Sequence, residues 1–399
     1  MTDNYHEEIV APGDRFSKLA RQVCVGSFNN SPAITIVRGG AGMRSMDGFA
    51  WNKPIPEALL RGELYEVVQS DGAGGKPQFF TLANTPEAFR GLSWEVITMN
   101  ADDLACRGGL PVMISSSNID VKSITNENWL LCEALLKGFG EALWASNLVL
   151  LTGETAVMKH SITAFCDTGN PSQLIVTWGA TCLGLASRDM KPNGTTIAAG
   201  MVVVGFLDKG YRCNGGTKFT NIILDTWGPD VSKLVDNPEA LAFIEKLVVP
   251  SQSYAKTIAR LNGWQLNGVL GTPLAKLHGV AHITGGGIWS KLVEILPEGV
   301  GAELNTMPEP VSVLLEAQKL ASNTDSPMTD FECYGTFHGG CGMMVICEDH
   351  DVDRVLDEAR KDGHTPYIVG RTIESTNNEV TIKSRFLDKS HLSSLEPHY

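Results

Sequence analysis

The chain has 399 residues, enough for two domains of ordinary size, and its 43% hydrophobic and 19% charged content is that of a folded, water-soluble protein. A net charge of −13 argues against a general nucleic-acid or anionic-membrane surface, since both need a basic face, and no run of about 18 apolar residues offers a transmembrane helix. The opening MTDNYHEEIV has neither the basic nor the apolar segment of a secretory signal, and nine cysteines form no Cys-x-x-Cys pair, so a cytoplasmic protein with reduced thiols is expected.

In chain order, apolar runs bounded by Gly or Pro predict strands at 64–69, 148–151, 174–186, 201–207, 280–284, 342–347 and 366–369. Helical periodicity predicts helices at 127–145, 253–261 and 351–361; in the last, Val352, Val355, Leu356 and Ala359 recur at i, i+3, i+4, i+7 and Gly363 supplies a stop. The alternation predicts an α/β (α+β) chain. The polar stretch SRDMKPNGTTIAAG (187–200) is the expected seam, giving domains 1–190 and 191–399.

Five clusters carry candidate chemistry. Gly40 and Gly42 lie in RGGAG, either a surface loop or a flap over a nucleotide. The segment VQSDGAGGKPQ (68–78) follows an apolar strand, so Asp71 is expected at a strand end, where ligands gather in α/β sheets. It fails as a P-loop: Ser70 stands at the first glycine position, and Pro77 where Ser or Thr is required. Asp71 and Gly72 with Lys76 suit Mg²⁺ and phosphate, or else form a glycine-rich hairpin. Asp102 and Asp103 are expected to open a short helical segment, as metal ligands or as N-terminal caps. In LTGETAVM, Gly153, Glu154 and Thr155 end a strand as ligands or as a turn. In AHITGGGIW, His282 lies in a strand, and the glycines before a helix expose N–H groups to an anion or simply make a tight turn. Several hard carboxylates, one lysine and glycine turns together describe an Mg²⁺–nucleotide enzyme outside the P-loop class.

The order of RGGAGM, VVQSDGAGGK, MNADDLACRGGLP, LTGETAVM, KGYRCNGGTKF, VVPSQSYAKTI, GVAHITGGGIWSKLVEILP and ECYGTFHGGCGMMVI resembles the phosphoribosylformylglycinamidine cyclo-ligase (aminoimidazole ribonucleotide synthetase, AIR synthase) family, across residues 38–371. That resemblance implies two α/β domains and a homodimer. The N-terminal domains would share a β-barrel, and the C-terminal domain would be an α/β sandwich. It also implies ATP and Mg²⁺ as cofactors, and a small-molecule nucleotide substrate with no nucleic-acid or membrane partner. The implied reaction is ATP-dependent ring closure of formylglycinamidine ribonucleotide. Alternatives are a divergent ATP-dependent enzyme of the same fold acting on another amide or phosphate ester, and a catalytically silent assembly partner.

By matched position, the resemblance implies catalytic roles for Asp71, Lys76, Glu154 and His282, and metal binding by Asp71, Asp103 and Glu154. Nucleotide contacts are implied for Gly40, Gly42, Asp71, Gly72, Lys76, Asp102, Asp103, Gly153, Glu154 and Thr155, and substrate contacts for Arg212, Asn214, Gly215, Thr284 and Gly285. Two departures stand out: Arg212 occupies the place of a family histidine, and Gly75 that of a threonine. Arginine stays charged, so it binds rather than shuttles a proton.

Overall fold

The computed structural model describes residues 12–40, 47–325 and 327–395. After a helix at Pro12–Gly26, β1 (Ile34–Val37) and β2 (Gly48–Trp51) make an antiparallel ribbon. β3 (Leu64–Gly72), β4 (Leu110–Val121), β5 (Val149–Val157) and β6 (Val176–Ser187) form a sheet in the order β3-β6-β4-β5, in which only the β4–β5 pair is parallel. β7 (Val202–Leu207), β8 (Gly279–His282), β9 (Val300–Leu304), β10 (Cys341–Cys347), β11 (Pro366–Glu374), β12 (Val380–Lys383) and β13 (His391–Ser393) form the second, in the order β13-β12-β9-β11-β7-β10-β8. The two sheets share no strand, and the seam at 187–200 lies between β6 and β7.

Each strand predicted from sequence exists, with ends moved by a few residues, and the three helices appear as Trp129–Ala145, Ala255–Leu261 and Val352–Lys361. β4 was not predicted. Three successive serines, 115–117, break its apolar signal, yet the structure satisfies two of their hydroxyls inside the sheet: Ser115 Oγ donates to Thr181 O (3.1 Å), and Ser117 Oγ accepts from Trp178 Nε1 (2.9 Å). All nine cysteines are free. Among the described residues no helix is long and apolar enough to cross a membrane.

Side chains alternate across the first sheet. Tyr65, Val67, Gln69 and Asp71 turn toward the helical side, while Glu66, Val68 and Ser70 lie on an exposed face. The helix Ser93–Cys106 covers the helical side. Its Ile97, Ala101 and Leu104 join one core with Tyr254, Ile258, Met343 and Val345 from the second half, so apolar burial ties the halves together.

Asp102 and Asp103 do not open a helix. They stand in the last turns of Ser93–Cys106, where carboxylates oppose the helix dipole. Asp102 caps a different helix: its Oδ1 accepts from Tyr254 N (2.8 Å), Ala255 N (2.9 Å) and Ser253 Oγ (2.8 Å), at the start of Ala255–Leu261. A fully buried carboxylate thereby pins the C-terminal half to the N-terminal half.

Candidate functional site

Asp71 ends β3 as expected from sequence. Its main chain is clamped by Asn100: Asp71 N donates to Asn100 Oδ1 (3.0 Å), and Asn100 Nδ2 donates to Asp71 O (3.1 Å). The side-chain Oδ1 accepts from Gly72 N (2.7 Å). A Cβ at Gly72 would meet Trp178 O at 2.7 Å, so this turn needs glycine to lie against β6. Burial, with the nearby Asp103 charge, raises the Asp71 carboxyl above the usual aspartate value against the pull of the Gly72 N–H.

Asp103 faces it, half-buried. Its Oδ1 meets His282 Nδ1 at 2.7 Å, and its Oδ2 accepts from Gln69 Nε2 (2.9 Å). Burial pushes this carboxyl up, but the His282 hydrogen bond and nearby positive charge, Arg107 and Lys291 included, outweigh burial and hold it below the ordinary value. The other imidazole nitrogen, Nε2, lies 2.5 Å from Arg212 Nη2. A guanidinium only donates, so His282 Nε2 accepts and Nδ1 carries the hydrogen given to Asp103. His282 is therefore oriented at both ends, with its lone pair committed to Arg212.

Arg212 lies in a loop at positive φ (67°) and is wholly buried. Its Nη1 donates to Asp208 Oδ2 (2.6 Å) and Gln252 O (3.0 Å), and its Nη2 to Asp102 Oδ2 (3.2 Å). Burial opposes its charge, but Asp208 and Asp102 raise its pKa overall. The expectation that Arg212 meets substrate therefore gives way to a structural account: two buried carboxylates require a buried cation, whose Nη1 and Nη2 serve them and His282 while Nε is buried without a partner.

Lys76 also departs from expectation. Its ammonium is buried, donating to Glu95 Oε1 (2.8 Å) and Val249 O (2.9 Å), 4.8 Å from the centre of the Tyr211 ring. Glu95 is completed by Ser251 N (3.0 Å) and Ser251 Oγ (2.6 Å). Two of the three ammonium donors are spent on Glu95 and Val249, and the pair has no exposed surface through which a phosphate could reach the third.

The substrate-side expectations meet in space. A Cβ on Gly285 would lie 3.2 Å from Asn214 Nδ2, and one on Gly216 would lie 3.5 Å from Gly75, so two glycine turns converge on the turn that follows Asp71. Gly215 (φ 85°) caps the twelve-residue helix Gly216–Trp227. Asn214 Oδ1 is buried without a partner, an acceptor awaiting a donor. Thr284 is half-buried and Gly285 exposed at the neighbouring turn, where Thr284 O accepts from Gly287 N (2.9 Å).

Glu154 is not part of this cluster within one chain. Register pairs Glu154 with Asn118 and Asn118 with Gly179, the partner of Gly72, so Glu154 is one residue out of phase with Asp71. It stands on the exposed face of the sheet, three strand spacings, about 14 Å, across from β3. The expected Asp71–Asp103–Glu154 trio is thus divided by the pleat, and among the described residues no group of three His, Cys, Asp or Glu is placed to hold a metal. Gly153 has a packing reason, since a Cβ there would lie 2.4 Å from Ser117 O. With Gly153 and Thr155, Glu154 lines a small cavity of about 130 Å³ beside the helix Pro12–Gly26. Gly40 is exposed with open space around it, and Gly42 falls outside the described residues.

The model for the AIR synthase related protein N-terminal domain matches residues 56–186, and that for the C-terminal domain matches 265–383. The chain belongs to the AIR synthase family. A phosphoribosylformylglycinamidine cyclo-ligase of Methanocaldococcus jannaschii is 26% identical over 318 residues, covering 80% of this chain and 81% of the relative. One of Bifidobacterium animalis subsp. lactis is 23% identical over 358 residues, covering 90% and 92%. Among solved structures, thiamine-monophosphate kinase from Stenotrophomonas maltophilia superposes with a TM-score of 0.51 at 15% identity, covering 89% of this chain and 93% of that one. Hydrogenase maturation protein HypE in complex with ATP gives 0.51 at 13%, covering 85% and 86%. These superpositions show the shared two-domain α/β fold.

Within this AIR synthase family chain, three buried polar residues, Asn100, Glu95 and Asp208, and the half-buried Gln69 were missed from sequence. Glu95 and Asn100 sit mid-helix among apolar neighbours, with no turn or glycine to mark them. Asp208 follows β7 directly, a strand-end acid like Asp71, and that signal was available.

Proposed function

We propose that this chain is an ATP-dependent cyclo-ligase that closes the ring of formylglycinamidine ribonucleotide, working as a homodimer. The observation that carries this reading is the Asp71–Asp103 pair: two half-buried carboxylates, one raised by burial and by its neighbour's charge, at the head of a turn on which two further glycine turns and the unpartnered Asn214 acceptor converge. The named cyclo-ligase relatives and the ATP complex of HypE support the activity and the nucleotide.

The residues fit Mg²⁺ in one respect: a cation would relieve the repulsion between Asp71 and Asp103, and two carboxylates with phosphate oxygens and waters suffice for this metal. Bound there, Mg²⁺ would neutralise charge on the transferring phosphoryl group. Asp71 and Asp103 would hold it, with His282 and Gln69 fixing Asp103 and Asn100 fixing Asp71. The first-turn N–H groups of Gly216–Trp227 point at an anion, and Asn214 accepts from a substrate N–H or O–H. The γ-phosphoryl group passes to the formyl amide oxygen, an amidine nitrogen attacks that carbon, and phosphate departs with the former amide oxygen. Binding makes the closure intramolecular. His282 acts here as a positioning residue, because both ring nitrogens are occupied.

Glu154 would enter from a second copy across the end of β3, where the Gly72–Gly75 turn leaves the sheet, if the chain forms the shared barrel that the family resemblance implies. A second reading, a related ATP-dependent enzyme on another amide or phosphate ester, is favoured by Arg212, which fills the place of the family histidine and occupies the His282 lone pair. Incubation with Mg-ATP and formylglycinamidine ribonucleotide decides between them. Stoichiometric ADP and aminoimidazole ribonucleotide are expected; substrate binding without the imidazole product would reject the first reading.

A further inference from the structure

A cavity of about 930 Å³ lies behind the ionic junction, and none of Asp71, Asp103, His282 or Asn214 lines it. It sits between the N-terminal half, at Trp94, Pro111 and Ala145, and the C-terminal half, at Ala259, Trp264 and Leu266. Its volume falls in the range of sites that enclose a small molecule. Two indoles contribute to the wall. Trp264 is buried and fixed, its Nε1 donating to Gly108 O (2.8 Å).

The polar part of the lining has a definite sign. Lys209 and Lys256 are exposed at the cavity, and among the described residues neither meets a carboxylate. Lys256 Nζ donates to Ala145 O (3.1 Å). The lining acid Asp362 is already neutralised by Arg260, whose Nη2 is 2.9 Å from its Oδ2. His364 adds a buried Nδ1 with no partner, its ring stacked near Phe206. A net cationic rim on a chain of charge −13 is a local exception, and it selects anions.

We propose that this cavity is a second small-molecule site, taking a planar aromatic anion. The ring would lie among Trp94, Trp264, Pro111 and Leu266. The anionic group would lie at Lys209 and Lys256, and a ligand donor would satisfy His364 Nδ1. The cavity also touches the segment 251–253, in which Ser251 holds Glu95, Gln252 O accepts from Arg212, and Ser253 holds Asp102. Its occupant therefore presses on the same segment that supports both ionic clusters. The site stands independently of the cyclo-ligase reading, since its test needs no turnover.

The test titrates the full chain with 8-anilinonaphthalene-1-sulfonate and with its uncharged analogue N-phenyl-1-naphthylamine, read by fluorescence. Saturable binding of one anionic probe per chain is expected, displaced by indole-3-acetate but not by inorganic phosphate. Lys209→Glu/Lys256→Glu should weaken the anionic probe about tenfold or more, and the milder Lys209→Gln/Lys256→Gln should weaken it less, in the same order. Asp71→Asn should leave it unchanged. Equal affinity in wild type and the charge-reversed chain, tighter binding of the uncharged analogue, or loss on Asp71→Asn would each overturn the proposal.

Discussion

Two charged clusters stand side by side at the junction of the halves, and both arise from one motif, DGAGGK. At its start, Asp71 faces Asp103 with like charges, partial exposure and a raised carboxyl. At its end, Lys76 is sealed against Glu95 with neither partner exposed. The first retains unspent charge, while the second is neutral and sealed from solvent. A buried, satisfied pair holds structure together, whereas an open pair with residual charge has something left to offer a ligand.

The largest effect should come from breaking the sealed pair. Lys76→Met leaves Glu95 buried without its cation and should cost about 3–5 kcal/mol in urea unfolding, most of it recovered in Lys76→Met/Glu95→Leu. If that folded double variant loses ATP affinity, Lys76 reaches phosphate after all and the contrast fails. Next is Asp71→Asn, expected to lower turnover at least tenfold without loss of stability, because it removes a repulsion. Unchanged turnover would move the metal elsewhere.

Glu154 sharpens the contrast across chains. Glu154→Gln alone should also cost tenfold or more in turnover. Mixing equal amounts of Asp71→Asn and Glu154→Gln chains should restore about a quarter of wild-type sites, if each site takes one residue from each copy of a symmetric dimer. No recovery on mixing would keep Glu154 out of the site.

The smallest effects are in pH. Asp103 is held below the ordinary aspartate value of 3.8, so its charge stabilises the folded chain above that pH and the benefit fades as pH falls through the lower folded value. The stability gap between wild type and Asp103→Asn should therefore shrink below about pH 4. His338 has the opposite group type but the same direction. Burial lowers it from 6.5 to about 4, against the pull of Asp208, so the unfolded chain binds the extra proton and stability should fall as pH drops through that interval. His338→Gln should flatten the slope in urea midpoints measured from pH 7 to 4.

The strand-end position of Asp71 and the glycine turns were legible because strand ends and glycines leave local marks in sequence, whereas Asn214 and Gly285 came only from the family resemblance. β4 was hidden because satisfied serines imitate a loop. Glu95 and Asn100 were hidden because a buried polar residue in an apolar helix has no periodic signature.

The sequence alone determined the α/β alternation, the family and the set of ionisable groups, since each rests on residue order and local spacing. Tertiary structure alone decided which of those charges are spent. Lys76 and Arg212 turn inward because buried carboxylates on distant segments, Glu95 in one case and Asp102 and Asp208 in the other, must be neutralised. Glu154 is parted from Asp71 because a pleated sheet sends adjacent register positions to opposite faces.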